Sequence, residues 1–60
     1  MLSFKSIDGI EFLYKLVQID YIYIRKDAYY VCAGTLSIEV NADTYHNVKN
    51  HLVALFGNYA

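Results

Sequence analysis

The chain has no proline, no tryptophan, one cysteine and three glycines in 60 residues. Without proline, a Gly/Ser-rich stretch, a repeat or a low-complexity run there is no linker, and one domain over 1–60 is expected. The lone cysteine, Cys32, excludes an intramolecular disulfide, whereas a secreted chain of this size usually carries several. A reducing compartment, the cytoplasm, is expected. Charge is also scarce: five Lys+Arg against six Asp+Glu give a net charge of −1. That balance offers no electrostatic case for a phosphate-rich partner. Unbroken apolar runs stop at a handful of residues, far short of the ~20 a spanning helix needs. No charged segment followed by an apolar stretch opens the chain, so no secretory signal and no membrane span are expected.

Apolar and aromatic residues are plentiful. Hydrophobic residues make up 57% of the chain, including seven tyrosines, which is too apolar for a disordered tail. A domain of 60 residues buries only about 60% of the surface its unfolded chain exposes, and its stability is marginal. With no disulfide and no metal motif, oligomerisation is the remaining route to sufficient burial. A homo-oligomer, most simply a homodimer, is expected.

Apolar alternation predicts a first strand over Met1–Ile7, with Leu2 and Phe4 on one face and Ser3 and Lys5 on the other. Asp8-Gly9 is a strong hairpin signal and leads into a second strand from Ile10 to about Lys15. Leu16–Gln18 is either a bulge or a short connection. The third strand, Ile19–Arg25, places Ile22 and Ile24 on one face and Ile19, Tyr21, Tyr23 and Arg25 on the other. Lys26-Asp27 is a turn, Ala28–Ala33 a fourth strand, Gly34-Thr35 a second turn, and Leu36–Val40 a fifth strand with Leu36, Ile38 and Val40 inward. Asn41 or Asp43 caps a helix running from about Thr44 to Phe56, ended by Gly57-Asn58. Its apolar arc contains Tyr45, Val48, Leu52, Val53, Leu55 and Phe56, with Lys49 at the edge; His46 and His51 lie opposite. The expected fold is α+β, an antiparallel meander of four to five strands packed on one C-terminal helix. In such a meander the first or last strand leaves an open edge for pairing with another chain.

Chemistry-bearing residues are dispersed. His46 and His51 are five apart and diverge by about 140° on a helix, a poor metal pair. The serines and threonines stand beside no base, the acids fall in turns, at strand edges or at a cap, and the isolated glycines form no phosphate cradle. Cys32, in an apolar run, is expected to be a small buried hydrophobe. No enzymatic activity, metal or cofactor is expected.

The tyrosines carry the functional information. A single helix covers one face of a sheet, so Tyr21 and Tyr23 stand on the other, joined by one of Tyr29 and Tyr30. Tyrosine combines apolar area with a polar tip and is enriched where proteins meet. Tyr21, Tyr23, Arg25 and Tyr29 are the expected binding residues. The expected function is a small non-enzymatic protein-binding module, an inhibitor or accessory factor of the kind common among phage and mobile elements. Such a face could serve self-association or hold a different protein. Alternatively it stacks the bases of RNA or a single strand, which the few cations, Lys5, Lys15, Arg25, Lys26 and Lys49, make the weaker choice.

One pattern is shared with a known family. "LSFKSIDG" over Leu2–Gly9, then Glu11-Phe12, the hydrophobic stretch Ile19–Ile24 and "GTLSIEV" before an amphipathic helix resembles the small flagellar-operon FlbD family. Ile7-Asp8-Gly9 takes the place of its early turn and Asn41–Leu52 that of its capped terminal helix. The resemblance implies a non-enzymatic flagellar or transcriptional accessory protein and brings no catalytic residue with it.

Overall fold

The computed structural model describes residues 1–56. Strands β1 (Leu2–Lys5) and β2 (Glu11–Tyr14) precede a single 3-10 turn over Leu16–Gln18. Strands β3 (Ile19–Arg25), β4 (Ala28–Ala33) and β5 (Leu36–Val40) follow, and α1 (Ala42–Phe56) closes the order. All pairings are antiparallel and the class is α+β as expected, but the strands divide into two sheets, a β1–β2 hairpin and a β3–β4–β5 meander. The division falls at Leu16–Gln18, which is a connection rather than a bulge. There Gln18 N–H donates to the Lys15 carbonyl at 2.9 Å, and the Gln18 side-chain oxygen accepts from Lys15 N–H at 2.8 Å. Backbone groups spent on this local turn cannot extend a β2–β3 ladder.

The first hairpin also differs in its turn. Instead of a two-residue Asp8-Gly9 turn, Gly9 N–H donates to the Ser6 carbonyl at 2.9 Å and Ser6 N–H to the Ile10 carbonyl at 2.8 Å. The loop is therefore Ile7-Asp8-Gly9, with Gly9 at φ +87° supplying the left-handed residue of a three-residue connection. Ile7 leaves the strand, and its N–H donates instead to the Glu39 carbonyl at 2.8 Å, tying the hairpin to the outer edge of β5.

Alternation decides what is buried. Leu2 and Phe4 from β1, Val31 from β4, Ile38 and Val40 from β5, and Tyr45 and Val48 from α1 form one core, with Phe12, Tyr14, Leu16, Ile22, Tyr29 and Leu52 packed around it. Phe4, Phe12 and Tyr14 stack at centroid separations of 5.9–6.2 Å. Ile19 belongs to this core, contrary to simple alternation. A bulge at Asp20, between the pairs Ile19–Ala33 and Tyr21–Cys32, adds one residue and turns Ile19 inward. Hairpin and helix thus both lie on one face of the meander.

The helix begins two residues earlier than its apolar pattern predicts. Asn41 is its cap, Oδ1 accepting from Thr44 N–H at 2.8 Å, and Asp43 sits in the first turn, where a negative charge suits the helix dipole. Its buried stripe is narrower than the predicted arc: Tyr45 and Val48 are buried and Leu52 half-buried, while Val53 and Leu55 are exposed. The side chain of Phe56 and the ending at Gly57-Asn58 lie outside the described residues. Among the described residues no helix is long and apolar enough to cross a membrane.

Candidate functional site

With hairpin and helix on one side of the meander, no described element covers its other side. The turn between β3 and β4 has two residues, Lys26 (φ 49°) and Asp27 (φ 64°), both left-handed as a type I′ hairpin requires. A two-residue turn pairs Arg25 with Ala28 and, stepping back two at a time, Tyr23 with Tyr30 and Tyr21 with Cys32. Across the next ladder Cys32 faces Ser37 and Tyr30 faces Glu39. The uncovered face therefore presents Tyr21, Tyr23 and Arg25 from β3, Tyr30 and Cys32 from β4, and Ser37 and Glu39 from β5.

The three tyrosines form a continuous surface. Tyr23 and Tyr30 stack with centroids 4.8 Å apart and planes at 16°, and Tyr21 lies 5.8 Å from Tyr23, tilted by 34°. Mutual stacking half-buries Tyr23 and Tyr30, whereas Tyr21 is 58% exposed. The Tyr23 hydroxyl and Ser37 Oγ share a hydrogen bond of 3.0 Å across the width of the meander. The phenol is thereby held over the sheet with a polar partner already in place.

Of the four residues singled out from sequence, Tyr21, Tyr23 and Arg25 share this face. Tyr29 does not. It pairs with Ile24 on the opposite face, and its ring lies 5.1 Å from Tyr45 and 6.3 Å from His46 on the helix. Tyr30 holds the position expected of Tyr29. The length of the Lys26-Asp27 turn was the available signal, since it fixes which tyrosine opposes Tyr23. Ser37, which is not among the expected binding residues, also belongs to this face through its hydrogen bond to Tyr23.

Cys32 is buried, as expected, but on the tyrosine side rather than in the main core. Its side chain is the first cause of a raised Tyr21 pKa, above the ordinary 10.0, through hydrogen bonding and then through its own charge. Partial desolvation, Tyr23 and Asp20 add smaller pushes in the same direction.

The residues considered for other chemistry are scattered. The His46 ring lies edge-on to Tyr45 at 5.6 Å, and His51 Nδ1 is 2.8 Å from the Asn47 carbonyl of its own helix. Among the described residues no three His, Cys, Asp or Glu side chains gather as a metal site would require. A groove of ≈ 360 Å³ runs between the start of β3 and the second half of α1, lined by Ile19, Asp20, Tyr21, Ile22, Lys49, Leu52 and Val53. It is open and mostly apolar, and it adjoins the tyrosine face at Tyr21. Compared with known proteins, the chain matches no family model, no curated protein and no solved structure.

Proposed function

We propose that the chain is a small non-enzymatic protein-binding module, a homo-oligomer of the cytoplasm that docks a partner on its tyrosine face as an inhibitor or accessory factor. The observation that carries this is the Tyr21–Tyr23–Tyr30 surface on the side of the meander that neither hairpin nor helix covers. Ordered aromatic rings supply contact area at low entropic cost, and their hydroxyls tolerate water until a partner arrives. Charge favours a protein over a nucleic acid. Arg25 is the one cation in this set of residues, and Glu39 stands in the same cross-strand row as Tyr23 and Tyr30. A phosphate backbone would meet repulsion there. A flagellar or transcriptional accessory role would use the same surface.

Affinity capture from the native host with the wild-type chain and with a Tyr21→Ser/Tyr30→Ser variant tests this, folding of both being checked by circular dichroism. The expected result is a protein retained by the wild type, lost from the variant, and binding again when both components are purified. Identical retention by the two would remove the tyrosine face from consideration. A salt-sensitive shift of a single-stranded oligonucleotide, abolished in the variant, would move the assignment to nucleic acid.

A further inference from the structure

Strand β3 ends the order of its sheet, so among the described residues one of its sides has no neighbouring strand. Because Arg25, Tyr23 and Tyr21 form the pairs that exchange hydrogen bonds with β4 next to a two-residue turn, Ile22 and Ile24 direct their N–H and C=O groups away from β4. No described residue bonds those four groups. Natural sheets guard such an edge with lysine, proline or a bulge along it. Here Tyr21–Ile24 carries no charge and no proline, and Ile24 is 55% exposed. The guards lie at the two ends instead: the bulge at Asp20 and the left-handed turn at Lys26. Between them is an open window of regular strand, Tyr21–Arg25, whose middle residue is Tyr23.

We infer that this window pairs with the same window of a second copy, antiparallel about a two-fold axis at Tyr23, making a six-stranded sheet from two meanders. Geometry selects that register. A two-fold perpendicular to a continuous sheet keeps each face on its own side, so residues can oppose one another only in steps that preserve alternation. With the axis at Tyr23, Ile22 opposes the partner's Ile24 and Ile24 the partner's Ile22, and their outward groups form four backbone hydrogen bonds. On the tyrosine side, Tyr23 meets the partner's Tyr23, and each Tyr21 meets the partner's Arg25, an aromatic–guanidinium pairing. Moving the axis to Ile22 would set the bulged Asp20 against Ile24. Moving it to Ile24 would draw Lys26, already committed to the turn, into the ladder.

Charge agrees with the same register. The two Arg25 side chains are separated by four residues of strand, about 13 Å. The Lys26-Asp27 turn of each copy arrives at the groove that Asp20 and Lys49 of the other line, so each end brings together charges of both signs. The exposed Ile24 is covered without use of the tyrosine face, which the pairing doubles in length. This assignment concerns the edge alone and stands apart from whatever docks on the face.

Cysteine cross-linking tests it on the full chain. At the axis the two Tyr23 positions form a pair without mutual hydrogen bonds, Cα atoms about 4.5 Å apart, within disulfide range. Tyr23→Cys is therefore expected to oxidise to a covalent dimer linked through position 23, while Tyr21→Cys, about 13 Å from its symmetry mate, is not. Ile24→Lys places a charge on the edge and is expected to weaken dimerisation at least ten-fold in analytical ultracentrifugation while leaving the circular dichroism spectrum intact. A wild-type chain that stays monomeric at high micromolar concentration, a folded Tyr23→Cys that does not cross-link, or a dimer indifferent to Ile24→Lys would overturn the inference. A monomeric wild type would also remove self-association from the proposed function, but none of these outcomes bears on partner capture by the tyrosine face, so failure of the edge pairing is distinguishable from failure of that docking.

Discussion

Tyr23 lies face to face with Tyr30 across the β3–β4 ladder, ring centroids 4.8 Å apart and planes 16° from parallel. Stacked aromatic pairs contribute about 0.5–1.5 kcal/mol beyond the area they bury. A double-mutant cycle with Tyr23→Ala and Tyr30→Ala, read by urea denaturation, should return a coupling of about 1 kcal/mol. The Tyr23→Phe variant isolates the hydroxyl bonded to Ser37 and should cost about 0.5–1 kcal/mol. Strict additivity of the two alanine variants would show that the rings do not support one another.

Tyr21 gives a pH signature. Its folded pKa is raised above 10.0, so the contribution it makes to stability is fully present below pH 10 and is lost as pH rises through the folded value. NMR titration of ring-labelled tyrosine should place the Tyr21 midpoint above 10, and Cys32→Ala should return it towards 10 by removing the first cause of the shift. A Tyr21 midpoint unchanged by Cys32→Ala would discount the thiol.

Lys26 and Asp27 occupy left-handed conformations that side chains without glycine's freedom resist. Replacing the pair by Asn-Gly, the preferred sequence of a type I′ turn, should stabilise the fold by about 1 kcal/mol. In a domain of this size that is a rise of roughly 4–8 °C in Tm. A Tm that falls would mean the native turn is held by contacts of the lysine or aspartate side chain.

Asp20 Oδ2 accepts a hydrogen bond from Gly34 N–H at 2.9 Å, fourteen positions away, so the β3 bulge braces the β4–β5 turn. Asp20→Ala should cost about 1 kcal/mol, the site being exposed, and Asp20→Asn should recover part of that because its amide oxygen also accepts. Equal losses from both substitutions would assign the effect to the bulge backbone instead.

Much of this architecture is visible in the sequence because period-2 alternation is strong where one face is buried. Ile38 and Val40 on β5 and Tyr21 and Tyr23 on β3 are examples, whereas Leu36, expected inward with them, is 46% exposed at the start of its strand; β3, β4 and β5 have the boundaries the pattern predicts. What alternation does not carry is any event that adds a residue to a strand or takes one away. The Asp20 bulge reversed Ile19, and the three-residue loop removed Ile7 from β1. The 3-10 turn at Leu16–Gln18 broke one sheet into two and created the free edge on β3. The choice between Tyr29 and Tyr30 is of the same kind, since it depends on the length of a turn rather than on either residue. The broad apolar arc assigned to the helix overstated burial because the meander is only three strands wide: Val53 and Leu55 extend past it.

The core joins β1, first in the order of elements, to α1, the last: Leu2 and Phe4 share their burial with Tyr45 and Val48. Hairpin, meander and helix therefore each lack a complete apolar interior, and among the described residues each finds its core contacts in the other two. Unfolding is then a single cooperative event, so hydrogen exchange at Val31 and Val48 should report one common opening free energy, the global one.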